Sequence, residues 1–268
     1  VIRDRITDQW KEKEKMKVGI VTYNIAKDMD LDTIIKTCEA TGMQGVELRT
    51  THAHGVEVTL SPAEREAVKK KFANSSVELA GLGSAFEYHA VDQDVVRKNI
   101  EGTKDYVVLA RDVGAPGIKV RPNGLQEEAG IPAEKTLEQI GLALRECGDF
   151  AKDYSVQIRL EVHGRDTSHV PHIRKILDIA DRNNVVACWN SNQREVENGS
   201  IKQYFDLLAG RIGLVHMRDL VAGYPWAELL GSLKASGYQG YCLAEIGASS
   251  EPERILKYYR AVWDALTS

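Results

Sequence analysis

The sequence predicts a single (β/α)8 TIM-type barrel, with residues 1–16 as a short N-terminal extension and 17–268 as the barrel. Three observations predict it. Eight apolar strand-like runs alternate strictly with eight helical runs, and no compositional break divides them. The 268-residue length suits one such barrel, which typically needs ~250 residues. No GxGxxG or GxxxxGKS/T pattern follows any strand, which leaves a nucleotide-binding doubly wound sheet without support.

Taken in order, residues 1–16 are dominated by the run Lys11-Glu12-Lys13-Glu14-Lys15 and read as a solvated lead-in or short surface helix. A first strand over 18–23 precedes a helix over 31–41 that Asp30 is placed to cap. A second strand over 45–49 leads to a helix over 61–74, where Ser61-Pro62-Ala63-Glu64 spells a capping box with Pro at the first helical position. The third unit pairs a strand over 77–83 with a helix over 92–113 that Asp92 would cap. Strands over 117–121, 157–163, 185–190 and 212–217 follow, with helices over 133–154, 170–182, 201–209 and 225–236. The last strand spans 241–246, and the last helix, over 252–266, is expected to open on a second capping box, Ser250-Glu251-Pro252-Glu253.

Composition narrows the function classes. A net charge of −4 argues against a non-specific nucleic-acid surface, which needs a basic face. No run approaches the ~18 apolar residues of a membrane helix. Cys38, Cys147, Cys188 and Cys242 are far apart and form no C-x-x-C pair, so they read as free packed thiols. The chain opens at Val1 without an initiator Met. The expectation is therefore a cytoplasmic protein, or an exported one if a signal peptide was removed before Val1.

In a parallel barrel every strand points its C-terminal end at one face, where catalytic groups gather. Polar residues do cluster at the predicted strand ends. Along Arg159-Leu160-Glu161-Val162-His163-Gly164, alternation places Arg159, Glu161 and His163 on one face. Strands five to eight then offer Glu161, Asn190, His216 and Glu245, a mixed oxygen and nitrogen set for one divalent cation. Mostly oxygen ligation with a single His favours Mn²⁺ or Mg²⁺, with Co²⁺ or Zn²⁺ as alternatives. The bland readings are a hydrogen-bonded core histidine for His216 and a surface ion pair for Arg218 with Asp219.

Around these, Glu47 and His52 at the second strand's end are substrate-binding candidates. Lys119 and Arg121 share a facing on the fourth strand; they either neutralise Glu47 and Glu161 or bind an anionic or polyhydroxylated substrate. His52 and His54 lie in a loop, as suited to solvent as to function. His163 and Arg218 are placed to hydrogen-bond a developing oxyanion. Trp189, beside Asn190, is either core or a platform for a sugar ring.

Gly45-Val46-Glu47-Leu48-Arg49, Leu160-Glu161-Val162-His163-Gly164, Val215-His216-Met217-Arg218-Asp219 and Leu243-Ala244-Glu245 together resemble the xylose-isomerase-like TIM-barrel superfamily, with its sugar isomerases, epimerases and endonuclease IV relatives. The resemblance runs from about Lys17 onward. It implies a divalent metal held by Glu, Asp, His and Glu, with the two glutamates, here Glu161 and Glu245, also serving as the acid/base pair. Asn190 departs from the pattern by standing where the family usually has Asp, and Gln193 stands where many epimerases carry His. The implied activity is isomerisation or epimerisation of a keto-sugar or aldose through a cis-enediolate. The alternatives are a lyase on 3-keto-glycosides, an endonuclease IV-like phosphodiesterase, or a sugar-binding barrel without turnover. A small carbohydrate partner is expected, with no nucleic acid or membrane, and a homo-oligomer would suit the family.

Overall fold

The computed structural model describes residues 16–221 and 223–268. Apart from Met16, the expected N-terminal extension lies outside the described residues. Eight parallel strands close into one barrel in chain order. They are β1 (Lys17–Val21), β2 (Gly45–Arg49), β3 (Glu78–Glu87), β4 (Gly117–Arg121), β5 (Gln157–Glu161), β6 (Val185–Asn190), β7 (Ile212–Met217) and β8 (Tyr241–Ala244). The helices packed outside are α1 (Leu31–Thr41), α2 (Pro62–Ala73), α3 (Gln93–Val113), α4 (Ala133–Lys152), α5 (Val170–Ala180), α6 (Lys202–Leu208), α7 (Trp226–Ala235) and α8 (Pro252–Thr267).

The strand alternation sorts side chains into two compartments. Val46, Leu48, Ile118, Val120, Ile158, Leu160, Val215 and Met217 face outward and pack with the helices into the main core. Val21, Ala80, Cys188, Leu214 and Leu243 face inward and form a small separate cluster inside the barrel. Glycines make room where large groups cross that interior: a Cβ on Gly45 would sit 2.4 Å from the Tyr241 ring.

Helix ends follow their local chemistry, with one correction. Asp30 accepts from the Thr33 N–H at 2.8 Å and Asp92 from the Asp94 N–H at 2.9 Å. Ser61 and Glu64 form a reciprocal capping box. The box expected at Ser250 does not form: Glu251 is the N-cap of α8, without a side-chain cap bond, and its own N–H donates to Ser249 Oγ at 3.0 Å. The Pro252 ring fixes the first turn one residue later than a Ser250 cap requires.

Four strands also end elsewhere than predicted, β1 at Val21 and β8 at Ala244 each stopping two residues early. β3 runs on to Glu87, because after a register shift Glu87 pairs with Arg121 of β4. β5 stops at Glu161, which leaves His163 on the loop. All four cysteines are buried and unpaired, and burial pushes Cys38 and Cys147 up to about 12. Among the described residues no helix is long and apolar enough to cross a membrane.

Candidate metal centre at the barrel mouth

His216 on β7 is the hub. It is fully buried, with Nδ1 3.5 Å from Glu161 Oε1 and 3.8 Å from Glu245 Oε2, while Nε2 lies 3.3 Å from Glu47 Oε1. One ligand atom from each of Glu161, His216 and Glu245 can be chosen so that all lie within 4.8 Å of one another. Glu161, at the end of β5, divides its oxygens. Oε2 takes the Lys119 ammonium of β4 at 3.0 Å, and Oε1 faces His216 and the Asn190 amide of β6, whose Nδ2 is 3.3 Å away. Rotating that amide by half a turn presents its carbonyl oxygen at the same place. Glu245 follows β8 and is the most open member, its side chain 22% exposed.

The electrostatics bind these groups together. Burial alone would raise the Glu161 carboxyl, but Lys119 and His216 override it and hold Glu161 well below the usual carboxylate range. The same competition lowers Glu47, beside His216 and Lys119. Burial opposes charge on Lys119 and His216, yet Glu161 and Glu47 raise Lys119, and His216 is raised by Cys188, Glu47 and Glu161.

The residues present fit a divalent cation. Both nitrogens of His216 and both oxygens of Glu47 are buried without a well-formed hydrogen bond, an arrangement native interiors rarely tolerate. A bound cation would displace the Nδ1 proton, and a neutral His216 keeping its other proton on Nε2, toward Glu47, would turn the Nδ1 lone pair into the gap between Glu161 and Glu245. A carboxylate behind the distal nitrogen is the usual support of a metal-ligating imidazole. Glu47, expected among the substrate-binding residues, is 0% exposed and faces the back of His216.

The other mouth candidates separate into groups. Arg121 is half-buried and its Nη2 donates to Glu87 Oε1 at 2.6 Å, so its nearest partner is a carboxylate of β3. His163 is half-buried, with Nδ1 3.0 Å from Asn123 Oδ1. Burial, opposed by Glu161 and reinforced by Lys119 and Arg121, lowers its pKa, and Glu245 also acts on it. His52 Nδ1 lies 2.9 Å from Thr22 Oγ1. His54 is a structural residue instead, buried and bonded to the Arg49 carbonyl at 2.8 Å. Arg218 is exposed, stacked 5.5 Å over the Tyr224 ring, and makes no ion pair with Asp219 among the described residues. Arg159 shares the inward face of β5 but lies toward the opposite end of the barrel.

Trp189 is not a sugar platform. It is 0% exposed and faces outward, packed against Phe205 in the helix layer, because strand neighbours alternate and Asn190 takes the inward side. Its Nε1 donates to Tyr224 Oη at 3.1 Å, and Tyr224 donates to Glu195 Oε2 at 3.0 Å. Glu195, missed from sequence, closes a capping box with Asn192, and Asn192 Nδ2 reaches the Val162 carbonyl at 2.8 Å. The Asn192-to-Glu195 spacing is the signal that would have revealed it.

Glu195 is 1% exposed, and burial pushes its carboxyl up to about 8 despite the bonds from Asn192 and Tyr224. A carboxyl whose folded pKa is raised binds more protons folded than unfolded. Stability is then greatest below the unfolded value and declines as pH rises toward 8, by roughly 5 kcal/mol in all. Thermal melts of the wild type and Glu195→Gln should therefore diverge between pH 5 and 8, the wild type falling relative to the variant. Parallel curves would show that Glu195 is ionised throughout.

Several solved structures share the fold. The IolI protein with a bound zinc atom superposes with a TM-score of 0.77 at 16% identity, covering 94% of this chain and 98% of that one. D-psicose 3-epimerase with D-tagatose from Clostridium cellulolyticum H10 gives 0.78 at 15% identity, over 94% and 100% of the two chains. The apo form of the Escherichia coli 3-keto-D-glucoside 4-epimerase YcjR gives 0.77 at 16% identity, again over 94% and 100%. A comparison with curated protein sequences finds no match. The family model of the xylose isomerase-like TIM barrels, however, matches residues 35–265, nearly the whole described barrel, and the chain belongs to that family.

Proposed function

We propose that the chain is a divalent-metal-dependent sugar isomerase or epimerase acting on a keto-sugar or aldose through an enediolate. Glu161, Asn190, His216 and Glu245 are the proposed ligands, and Glu161 and Glu245 the proposed acid/base pair. The observation that carries this reading is the convergence of Glu161, His216 and Glu245 on one gap, with Glu47 behind the imidazole. Sugar 3-epimerases among the fold relatives support it. A divalent cation held there would polarise a carbonyl and its neighbouring hydroxyl oxygen and so acidify the adjacent C–H.

The chain's own residues divide the proton work. Glu161 is kept charged by Lys119 at 3.0 Å and is a weak base. Glu245 has no Lys or Arg within ion-pair distance among the described residues and stands open to the mouth, so it takes the proton from carbon. The Lys119–Glu161 pair returns a proton to the opposite face. His163, fixed by Asn123, hydrogen-bonds the developing oxyanion, and Arg121 and Arg218 bind the far end of the sugar.

A second reading, elimination from a 3-keto-glycoside, keeps the same first proton transfer. It is favoured by Asn190, which puts an amide on Glu161 Oε1 where the family pattern has a second carboxylate. Release of an aglycone and an unsaturated sugar would identify it.

The test is solvent-deuterium exchange into a panel of keto-sugars, with and without chelator. Exchange is expected to need about one divalent cation per chain, to vanish on chelation and to return on adding metal back. A metal-loaded protein that exchanges no substrate C–H would overturn the proposal.

A further inference from the structure

Beneath the metal centre, at the N-terminal end of the barrel, a second charged group is built into the interior. Arg159 precedes Glu161 by two residues and so shares its inward face, one turn of the pleat lower. It is 5% exposed. Space has been cleared for its guanidinium: a Cβ at Gly117 would lie 2.5 Å from Nε and one at Gly81 2.9 Å from Nη1. Nε donates to Gln157 Oε1 at 3.1 Å. Nη1 donates to the Ala80 carbonyl at 2.7 Å, at the residue where β3 slips register against β2.

What the guanidinium lacks is a counter-charge. Among the described residues no carboxylate lies within 4.0 Å of Arg159, and Nη2 has no hydrogen-bond partner. Glu47, the carboxylate that acts on it, is shared with His216 and Lys119. A buried cation without a close anion is costly. Arg159 lines a cavity of about 440 Å³ at the N-terminal mouth, together with Pro116, Gln157, Gly213, Tyr238 and Tyr241. The Tyr238 hydroxyl is held in place by donating to the Tyr241 carbonyl at 2.8 Å.

We propose that this N-terminal mouth is a second binding site, taking a small oxyanion such as phosphate or a carboxylate on the Arg159 guanidinium. The planar fork of donors matches two oxygens of such an anion. The neutral Gln157 amide completes the floor without supplying charge. The site is separate from the metal centre, and it stands whether or not the proposed reaction is correct.

The test uses the full chain, metal-loaded, with inorganic phosphate titrated at constant ionic strength and followed by thermal denaturation and calorimetry. Saturation is expected to raise Tm by about 2–4 °C. Arg159→Met should lose the shift. Gln157→Glu should lose it too, because its carboxylate would sit against Nε and supply the missing charge from within; this variant decides the matter if Arg159→Met does not fold. Arg121→Met, at the opposite mouth, should keep the shift. A wild type that does not respond would overturn the proposal, as would an undiminished shift in Gln157→Glu. So would a shift lost in Arg121→Met, which would place the anion at the metal centre instead.

Discussion

Replacing Glu161 by Gln is expected to lower turnover by about 10²–10⁴-fold and, at the same time, to destabilise the barrel. The second effect follows from Lys119. The two side chains are only 5% and 3% exposed and 3.0 Å apart, and removing one partner of a buried ion pair costs about 3–5 kcal/mol because the other charge is left uncompensated. For a chain of this size that is a fall in Tm on the order of 10 °C. Glu245→Gln should behave differently. Its side chain is 22% exposed and its only ion-pair contact among the described residues is His216 at 3.8 Å, so turnover should fall as far while Tm hardly moves. The double variant Lys119→Met/Glu161→Gln separates the two effects: it should recover most of the Tm and none of the turnover. Equal melting of the two single variants would show that the Lys119–Glu161 pair contributes nothing to folding. Full deuterium exchange in either single variant would remove that glutamate from the proton transfer.

The contrast between these glutamates shows what a sequence can carry. Period-2 alternation placed Glu161, His216 and Glu245 on inward faces, and strand-end position put them at one mouth, because both are local properties of a parallel barrel. The same alternation, applied strictly, already excludes Trp189 from the mouth once Asn190 is assigned to it. Glu47 was harder. Its partner His216 comes from β7, across a closed barrel from β2, and no local pattern reports which strands face each other through the interior. Arg121 was paired in expectation with Glu161 or Glu47 but meets Glu87, since β3 continues past its predicted end and brings that carboxylate alongside β4. The missing Ser250 cap shows a motif outvoted by context, with Pro252 setting where the helix can begin.

Glu47 is also where the structure changes the expected phenotype most. A residue touching substrate would, on substitution, raise KM and leave metal binding alone. A fully buried carboxylate 3.3 Å from His216 Nε2 acts on the metal centre through the imidazole, by holding its proton on the far nitrogen and keeping Nδ1 free to ligate. Glu47→Gln preserves volume and can still hydrogen-bond, but it removes the charge that fixes this tautomer. Divalent-cation affinity, measured by titration calorimetry on the metal-free protein, should fall about 10–100-fold. At saturating metal most of the activity should return with KM little changed. Because Glu47 also favours the charges on buried Lys119 and Arg159, the variant should melt lower than the wild type, and its cation affinity is read well below that Tm. Unaltered cation affinity together with a raised KM would return Glu47 to the substrate side of the site. It would also mean that His216 is oriented by its other neighbours, Cys188, Glu161 and Glu245.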